Sequence, residues 1–457
     1  MTRSNQKAGL IVLCTAAFIV PFMGSALNLA FPQISTEFSM KAVSMTWLST
    51  AYLISTAIFQ IPFARLADIV GRKKIFMTGV GIFVISSICC GFVNSGASLI
   101  IMRLLTGTGC AMMFGTNIAI LSSIFPPEQR GKAIGINTSV VYAALAAGPL
   151  LGGLMTEHLG WRSIFFISAG IGVIVLILTR LFLKGEWIEA KGEKFDLRGA
   201  ILYGSALASI IYGFSALPSW WGFSTLVFGI IDMIFFIRYE MRAASPVFNV
   251  RLFSGNRVFT LSSLAALINY SATFAITFML SLYLQYVLGL RAIHAGFILI
   301  SQACIQSLFS LLSGNMSRET DPSVLATTGM ILSVVGLIGL LFISPTTPIW
   351  YIISILLLLG VGFGIFSSPN VTVIMGSVDK KDYSQASATT GTMRLTGQSI
   401  SMGIAGMTIA LTIGNNTIVP ELYPQFIQSM KITFSIFIIL CLIGVYASSA
   451  RIKKSGI

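Results

Sequence analysis

The feature that most constrains this chain is the repeated alternation of long apolar runs with short polar connections. A helix of about 20 apolar residues spans the roughly 30 Å hydrocarbon core of a bilayer. Hydrophobic residues make up 55% of the 457 residues and charged residues only 10%. Because a soluble fold cannot bury so much apolar surface, this pattern excludes a soluble enzyme, a disordered chain and a disulfide scaffold. It predicts an all-α protein that crosses a membrane many times.

The apolar runs predict fourteen transmembrane helices. Their boundaries are set to within about four residues, because boundaries are the least certain part of such a reading. The predicted spans begin near residues 8, 43, 74, 98, 133, 163, 199, 223, 258, 294, 323, 349, 384 and 430. The first run is too long for a signal-peptide core, so we predict an uncleaved first helix.

The positive charges of the connections predict the orientation. Most of the 29 lysines and arginines fall into alternate connecting segments, and we count Arg394 with Lys380 and Lys381 in one of them, at the entry to the thirteenth span. By the positive-inside rule these segments and both termini are cytoplasmic, and the number of spans is even. The net charge of +14 therefore belongs to cytoplasmic loops, and we predict no nucleic-acid partner. The exceptions are Lys41, Arg162, Arg291 and Lys431 on the outer side and Arg103 within a span.

Two basic polar segments divide the chain as six spans, two spans and six spans. They are Lys184–Arg198 and Arg238–Arg257. We predict an N-terminal six-helix bundle at 1–183, a cytoplasmic linker with two inserted helices at 184–257, and a C-terminal six-helix bundle at 258–457. Equal outer blocks indicate a duplicated transporter body, although the sequence repeat is faint.

The cysteines and histidines predict neither a metal site nor a cofactor site. All six cysteines lie in apolar segments, no Cys-x-x-Cys spacing occurs, and the two histidines are not clustered. We interpret the cysteines as packing residues, and we expect no metal, no cofactor and no enzymatic activity.

The turn after the second span combines a carboxylate, a glycine and adjacent cations. Asp68 precedes Gly71, which permits a tight turn, and Arg72 follows at once. One interpretation is a contact that breaks when the two halves of a transporter rock. The other is an ordinary basic loop, and charge alone does not choose between them.

Arg103 lies about five residues into the fourth span. A guanidinium within the membrane has to face a bundle interior or a wet cavity, or else reach back to the interface. We predict that it lies on the substrate or proton pathway. Gly107, Ala111 and Gly115 follow at a spacing of four residues and predict a smooth face for close helix packing.

The fifth span carries small residues at helical spacing together with a proline. Gly148 and Gly152 share one face, Gly153 follows, and Pro149 favours a bend. These residues predict a pivot or seal for the conformational change. Plain helix packing remains the alternative.

The spans contain few acids and several amides. Asp232 in the eighth span is the clearest acid, and it either carries protons or simply reaches the cytoplasmic interface. The uncharged polar residues predict either the lining of a substrate pathway or hydrogen bonds between helices. They are Asn28, Asn117, Asn269, Gln302, Gln306 and Gln398.

Three segments resemble signatures of the major facilitator superfamily. The turn from Ala64 to Lys74 resembles G-x-L-a-D-r-x-G-r-k, with alanine in place of the first glycine. Leu99–Gly109 resembles the fourth-span signature centred on an arginine, and Gly148–Gly153 matches the antiporter motif G-P-x-x-G-G. With fourteen spans, the chain is similar throughout to the fourteen-helix drug:proton antiporters. The resemblance implies a monomeric plasma-membrane exporter of lipophilic drug-like compounds, in exchange for protons, in a prokaryotic inner membrane.

The first span departs from that group. Its usual reading is L-D-x-T-I-V-N-V-A-L-P, and alignment on Asn28 and Pro32 places Met23 where the aspartate belongs. Because a thioether cannot titrate, proton coupling here must use another group or be absent. A proton-independent facilitator or importer on the same fold is therefore the first alternative. A membrane-embedded lipid enzyme and a non-transporting sensor are more distant ones.

Overall fold

Most of the chain that the structure describes is helical. The computed structural model describes residues 3–243, 245–317, 319–378, 383–414 and 416–450, without the side chains at 3–5, 127–128, 131–132, 315 and 383–384. No strand occurs in these residues. The helices of the N-terminal part are α1 (Arg3–Ala26), α2 (Phe31–Phe38), α3 (Ala42–Val70), α4 (Arg72–Gly91), α5 (Gly96–Ile124), α6 (Pro127–Leu159) and α7 (Arg162–Phe182). They are followed by α8 (Leu197–Ala216), α9 (Trp220–Glu240), α10 (Arg251–Gly255), α11 (Arg257–Ser271), α12 (Phe274–Leu282), α13 (Ala292–Met316), α14 (Pro322–Leu340), α15 (Ile349–Gly376), α16 (Tyr383–Thr412) and α17 (Tyr423–Ser449).

Thirteen segments of the described chain are long and apolar enough to cross a membrane. The remaining predicted span coincides with α16, which is thirty residues long but rich in Ser, Thr and Gly, and which is not among the thirteen. The all-α membrane fold is thereby confirmed, while the number fourteen stays a prediction. The last helix begins at Tyr423, seven residues before the predicted start near 430, because Pro424 occupies its first turn.

Side-chain caps fix where several helices begin. Ser95, Asp196, Ser219, Asn256 and Asp321 each accept a hydrogen bond from a backbone N–H in the first turn of the helix that follows. Such caps satisfy donors that have no partner within the helix. Three of these caps begin α8, α9 and α11, so the inserted pair and the helix after it start at residues fixed by local chemistry.

The first helix of each half is interrupted within the membrane. After α1 the backbone tightens into a 3₁₀ turn at Leu27–Leu29 and then resumes as α2. The predicted ninth span is likewise two helices, α11 and α12, separated at Ala272 and Thr273. The hydroxyl of Ser401 accepts the N–H of Ala275 at 3.0 Å and so satisfies a donor that the break frees. Interrupted helices are typical of transporter binding regions.

Two glycine crossings recur in the two halves. Gly79 of α4 meets Gly109 of α5 so closely that an added Cβ at either would lie within 3.0 Å of the other's carbonyl oxygen. Gly329 of α14 and Gly362 of α15 repeat this crossing with the same closeness. Small residues allow backbones to approach in this way. These matched crossings support the six-helix partition, which we retain as a proposal.

The inserted helices α8 and α9 pack on each other and against one side of the bundle. Gly213 lies against Leu226, and Gly229 lies against the backbone of Ile210. The hydroxyl of Tyr203 on α8 donates to the carbonyl oxygen of Ala57 on α3 at 3.1 Å. The pair is therefore attached to the helices that surround the interior and does not form part of either glycine crossing.

Candidate functional site

Arg72 connects three segments at the cytoplasmic end of the N-terminal half. Its guanidinium donates to Asp68 Oδ1 at 2.8 Å, to Ser123 Oγ at 2.8 Å and to Glu189 Oε1 at 2.7 Å. Arg72 is only 3% exposed. Charge-assisted bonds of this kind are about twice as strong as neutral ones. Arg72 thus joins the turn after α3 to the end of α5 and to the linker after α7.

The linker after α7 packs directly on this turn. Gly71 has φ = 126°, and a Cβ there would lie 2.6 Å from the carboxyl carbon of Glu186. Glu186 accepts the backbone N–H groups of Lys73 and Lys74, at the positive end of α4. Only glycine fits both this backbone and this contact. Sequence reasoning missed the linker acids Glu186 and Glu189, since more than a hundred residues separate them from their partners.

Arg103 lies inside the N-terminal half and is fully buried. Its Nε donates to the carbonyl oxygen of Leu48 at 3.1 Å, and its Cζ lies 4.2 Å from the centre of the Tyr52 ring. Its Nη1 has no hydrogen-bond partner in the described part of the chain. Both contacts are to α3, so the guanidinium faces the bundle interior and does not reach the outer interface.

The three predicted asparagines lie at separate helix contacts. Asn28 is buried in the 3₁₀ turn, and its carbonyl oxygen accepts from Ser281 Oγ of α12 at 2.8 Å. Asn117 donates to the carbonyl oxygen of Leu13 at 2.8 Å. Asn28 Oδ1, Asn117 Oδ1 and Asn269 Nδ2 are buried and have no partner among the described residues. Each therefore retains hydrogen-bonding capacity for water or a bound molecule.

The backbones of Gln302 and Gln306 take part in helix packing in the C-terminal half. An added Cβ at Gly360 would lie 2.5 Å from the carbonyl oxygen of Gln302, and one at Gly364 would lie 2.7 Å from that of Gln306. Gln302 is buried and Gln306 half-buried. The smooth face of α15 thus packs on α13.

The glycines of α6 pack on two helices at once. An added Cβ at Gly148 would lie 2.5 Å from Ser25 Cβ, and one at Gly152 would lie 2.5 Å from the carbonyl oxygen of Ala26. One at Gly153 would lie 2.6 Å from the carbonyl oxygen of Ala292 on α13. Pro149 contributes as well, because its carbonyl oxygen would lie 2.5 Å from a Cβ at Gly296. Through these contacts α6 joins α1 of its own half to α13 of the other.

An ion pair joins the outer ends of the two halves. Glu157 at the end of α6 pairs with Arg291 at 3.0 Å and accepts the N–H of Ile293 at 3.1 Å. A carboxylate at the start of α13 also suits the positive end of that helix. In the sequence, Glu157 and its neighbour His158 resemble a solvated face at the outer end of a span. The structure corrects this, because Glu157 pairs with Arg291, more than a hundred residues away.

A second outer ion pair lies within the N-terminal half. Glu37 accepts hydrogen bonds from Arg162 at 2.6 and 2.8 Å and from Trp161 Nε1 at 2.7 Å. The hydrogen bond from Arg162 holds the pKa of Glu37 below its ordinary value. This carboxylate therefore stays charged at neutral pH and fixes the end of α2 to the start of α7.

Asp232 and Met23 lie apart from the other predicted pathway residues. Asp232 accepts a hydrogen bond from Ser205 at 2.5 Å, between the inserted helices α9 and α8. Met23 is fully buried in the apolar core of the N-terminal half. Among the described acids, Asp232 alone lies more than two turns from the end of a spanning helix.

Arg394 lies inside a helix, although the charge count assigns it to a connecting segment. It is the twelfth residue of α16, about 16 Å along the helix, and is not in a connecting segment. Its Cζ lies 5.4 Å from the centre of the Phe114 ring on α5. The flanking Thr, Gly and Ser residues resemble a polar connection, which is why the sequence pattern failed there. The absence of a helix breaker between Gln385 and Thr412 was the signal that could have placed it.

These observations define a class of protein. Each half contains a close glycine crossing, and the two halves contact each other along α6 and α13 and through an outer ion pair. Several buried polar groups have no partner among the described residues. Such a chain is a membrane transporter. The sequence profile described as Major Facilitator Superfamily matches residues 13–405, and the chain belongs to that superfamily.

Curated relatives cover most of the chain. It is 30% identical over 372 residues to the riboflavin transporter RibZ of Clostridioides difficile, covering 81% of this chain and 80% of that one. It is 30% identical to the cephamycin export protein CmcT of Amycolatopsis lactamdurans, covering 90% and 85%. Drug-resistance and export proteins recur among these bacterial relatives. The chain is accordingly a multi-pass protein of the plasma membrane.

A solved structure shows the same fold. A bacterial homologue of the human lysosomal transporter Spinster, crystallised in an inward-facing and unoccupied conformation, superimposes with a TM-score of 0.73. The match covers 99% of this chain and 98% of that one, at 16% sequence identity. At that identity the likeness concerns the fold alone.

Proposed function

We propose that this protein exports small amphipathic, drug-like compounds from the cell by alternating access. The observation that carries the proposal is that relatives named for antibiotic export or resistance match about nine-tenths of the chain at 26 to 30% identity. The protein would act as a monomer, and the substrate would bind between its two halves.

The moving parts would be the six-helix bundles 1–183 and 258–457, with 184–257 as the insert. Asp68, Gly71 and Arg72 would control the cytoplasmic side, because Arg72 joins the turn, α5 and the linker. Gly148, Pro149, Gly152 and Gly153 would form the seam about which the halves rock, since α6 contacts both halves through them. In this scheme the pathway residues would be Arg103, Asn28, Asn117, Asn269, Gln302, Gln306 and Asp232.

Exchange for protons is the first candidate for coupling. It is what the match of Gly148–Gly153 to the antiporter motif implies, and Asp232 is the one acid placed deep enough in a described span to carry the proton. Asp232 bonds to Ser205 on the neighbouring inserted helix, so protonation there would act on the α8–α9 pair.

A specific observation favours a second candidate, transport without proton exchange. Met23 is buried at the position where the resemblance expects an aspartate, and it cannot titrate. In the described residues, no carboxylate lies beside the unpaired groups of Asn28, Asn117 or Asn269. A carrier built this way would move its substrate down that substrate's own gradient.

Uptake into inverted membrane vesicles tests both candidates. Vesicles with and without the protein are given tetracycline or rhodamine 6G, with or without an inward-acidic gradient. Gradient-dependent accumulation supports proton exchange, and accumulation that ignores the gradient supports the second candidate. If vesicles with and without the protein take up equal amounts of every compound, the export proposal is wrong.

A further inference from the structure

Arg394 is a cation on the side of α16 that meets the N-terminal half. It lies on α16 of the C-terminal half, yet its nearest aromatic contact, Phe114, lies on α5 of the N-terminal half. Counted along their own helices, Arg394 and Phe114 are each about 15 Å from the cytoplasmic end. Arg394 is half-buried, so part of its guanidinium remains accessible. A charge in this place has to face the interior, because lipid would not solvate it.

No protein group in the described chain neutralises this guanidinium. Arg394 takes part in no described hydrogen bond or ion pair, and its described cation–π contact is with the Phe114 ring. The other buried arginines differ, since Arg72 pairs with two carboxylates and Arg103 donates to a carbonyl oxygen. A guanidinium presents five N–H donors in a planar fork that matches an acid group. Those donors are left free for a ligand.

A second unpaired polar group lies one helical turn away. Gln60 of α3 is 5% exposed, and its Oε1 has no partner among the described residues. A Cβ on Gly391, three residues before Arg394, would lie 2.8 Å from Gln60 Nε2. The amide of Gln60 therefore faces the side of α16 that carries Arg394. The unpartnered Oε1 can accept from a water or a ligand hydroxyl, and the Nε2 donor, which makes no described hydrogen bond, can donate to an acid group.

A second aromatic residue, Tyr270 on α11, packs against the same helix as Arg394. Gly397, one turn after Arg394, packs against Tyr270, since an added Cβ would lie 2.8 Å from that residue's Cβ. Rings of this kind provide flat apolar surfaces on which a planar molecule can stack.

We propose that Arg394 and Gln60 form the recognition site for an aromatic anion, a planar ring compound that carries a carboxylate or a similar acid group. The acid group pairs with the Arg394 guanidinium and accepts an N–H from Gln60, and the ring packs against Phe114 and Tyr270. This inference rests on the proposed transport function and narrows its substrate class. Residues of both halves form the site, so binding of the ligand depends on the relative position of the halves.

Two dyes with the same ring system and opposite charge test the site. Purified protein in nanodiscs is titrated with fluorescein, an anion, and with rhodamine 6G, a cation, and binding is followed by fluorescence anisotropy. Arg394→Gln should weaken fluorescein binding about tenfold or more, because a charge-assisted contact is lost. Arg394→Lys should restore part of that loss, and rhodamine 6G binding should not weaken in either variant. Arg238→Gln, on the exposed face of α9, is the matched control and should bind both dyes as the unaltered protein does.

The outcomes separate this inference from the export proposal. If the unaltered protein does not bind fluorescein, or if Arg394→Gln binds both dyes unchanged, the anion site is wrong while export of other compounds can still be observed in vesicles. If fluorescein binds through Arg394 but no compound accumulates in vesicles, the site stands and the export proposal fails. Gln60→Leu is a second test variant, which removes a hydrogen-bond donor without changing the charge of the site. It should weaken fluorescein binding more than rhodamine 6G binding.

Discussion

Three buried or half-buried arginines satisfy their guanidinium groups in three different ways. Arg72 is paired with Asp68 and Glu189, Arg103 relies on a carbonyl oxygen and the Tyr52 ring, and Arg394 has only the Phe114 ring. Placing an arginine at the centre of a membrane helix costs about 2.5 to 3.5 kcal/mol on insertion scales. A cation–π contact returns about 0.5 to 2 kcal/mol. The free energy of burial that remains uncompensated rises from Arg72 to Arg394. The capacity of the guanidinium to bind a ligand rises with it.

Arg103→Ala should abolish transport while the protein still inserts. The substitution removes the hydrogen bond to Leu48 and the contact with Tyr52, and leaves a space between α3 and α5. We expect the initial rate of dye uptake into inverted vesicles to fall about tenfold or more, in line with the loss of a charged hydrogen bond. Membrane yield and thermal stability in detergent serve as the controls for insertion. A normal uptake rate would remove Arg103 from the transport machinery.

The helices show where sequence patterns are reliable. Apolar runs predicted the spanning helices, and the spacing of small residues predicted the closely packed faces of α5 and α6. Both patterns can be read from the sequence because each depends on a single helix. The charge count failed at Arg394, because the Thr, Gly and Ser residues around it resemble a connection although they belong to the continuous helix α16. The patterns also could not find the contacts of Glu186, Glu189 and Glu157, since each partner lies on a different element. The periodicity of a helix does not show which other helix or linker packs against it.

Two alanine substitutions on the same helix test the seam at α6. Gly152→Ala places a Cβ 2.5 Å from the carbonyl oxygen of Ala26, whereas Gly135→Ala meets no described atom within 4 Å. Overpacking costs about 1 to 3 kcal/mol, and Gly to Ala in an open helix position gains about 0.5 to 1 kcal/mol. We therefore expect a lower thermal midpoint and slower transport for Gly152→Ala, and an equal or higher midpoint for Gly135→Ala. Equal midpoints for the two variants would show that α1 and α6 do not pack closely in the membrane.

At the scale of the whole molecule, several contacts join the outer ends of the two halves. Glu157 pairs with Arg291, the ring of Phe31 contacts that of Phe278, and the N–H of Ala42 donates to the carbonyl oxygen of Asn416. These contacts join different pairs of helices, so they close the outer side from several directions. Alternating access requires all of them to separate together.

Glu157→Gln should favour the state in which the outer side is open. The Glu157–Arg291 pair is partly exposed, and such pairs contribute about 1 kcal/mol or less, so the population of that state should rise by up to about fivefold. The alkylation rate of a cysteine placed at Ala292, in a background without the native cysteines, measures the opening. Arg291→Gln should give the same increase, and Lys431→Gln on the exposed face of α17 should give none. An unchanged alkylation rate in both pair variants would mean that the ion pair does not hold the halves together.

The unneutralised charge of Arg394 also bears on the energy source of transport. The interior of a bacterial cell is electrically negative, and each elementary charge that crosses the membrane is worth about 2.3 kcal/mol per 100 mV. An anion bound at Arg394 and released outside would move in the direction that this voltage favours. Its export would then draw on the electrical gradient, with no need for a titrating carboxylate on the first helix. Such a carrier would not need a titrating residue at position 23, so Met23 would not impair it.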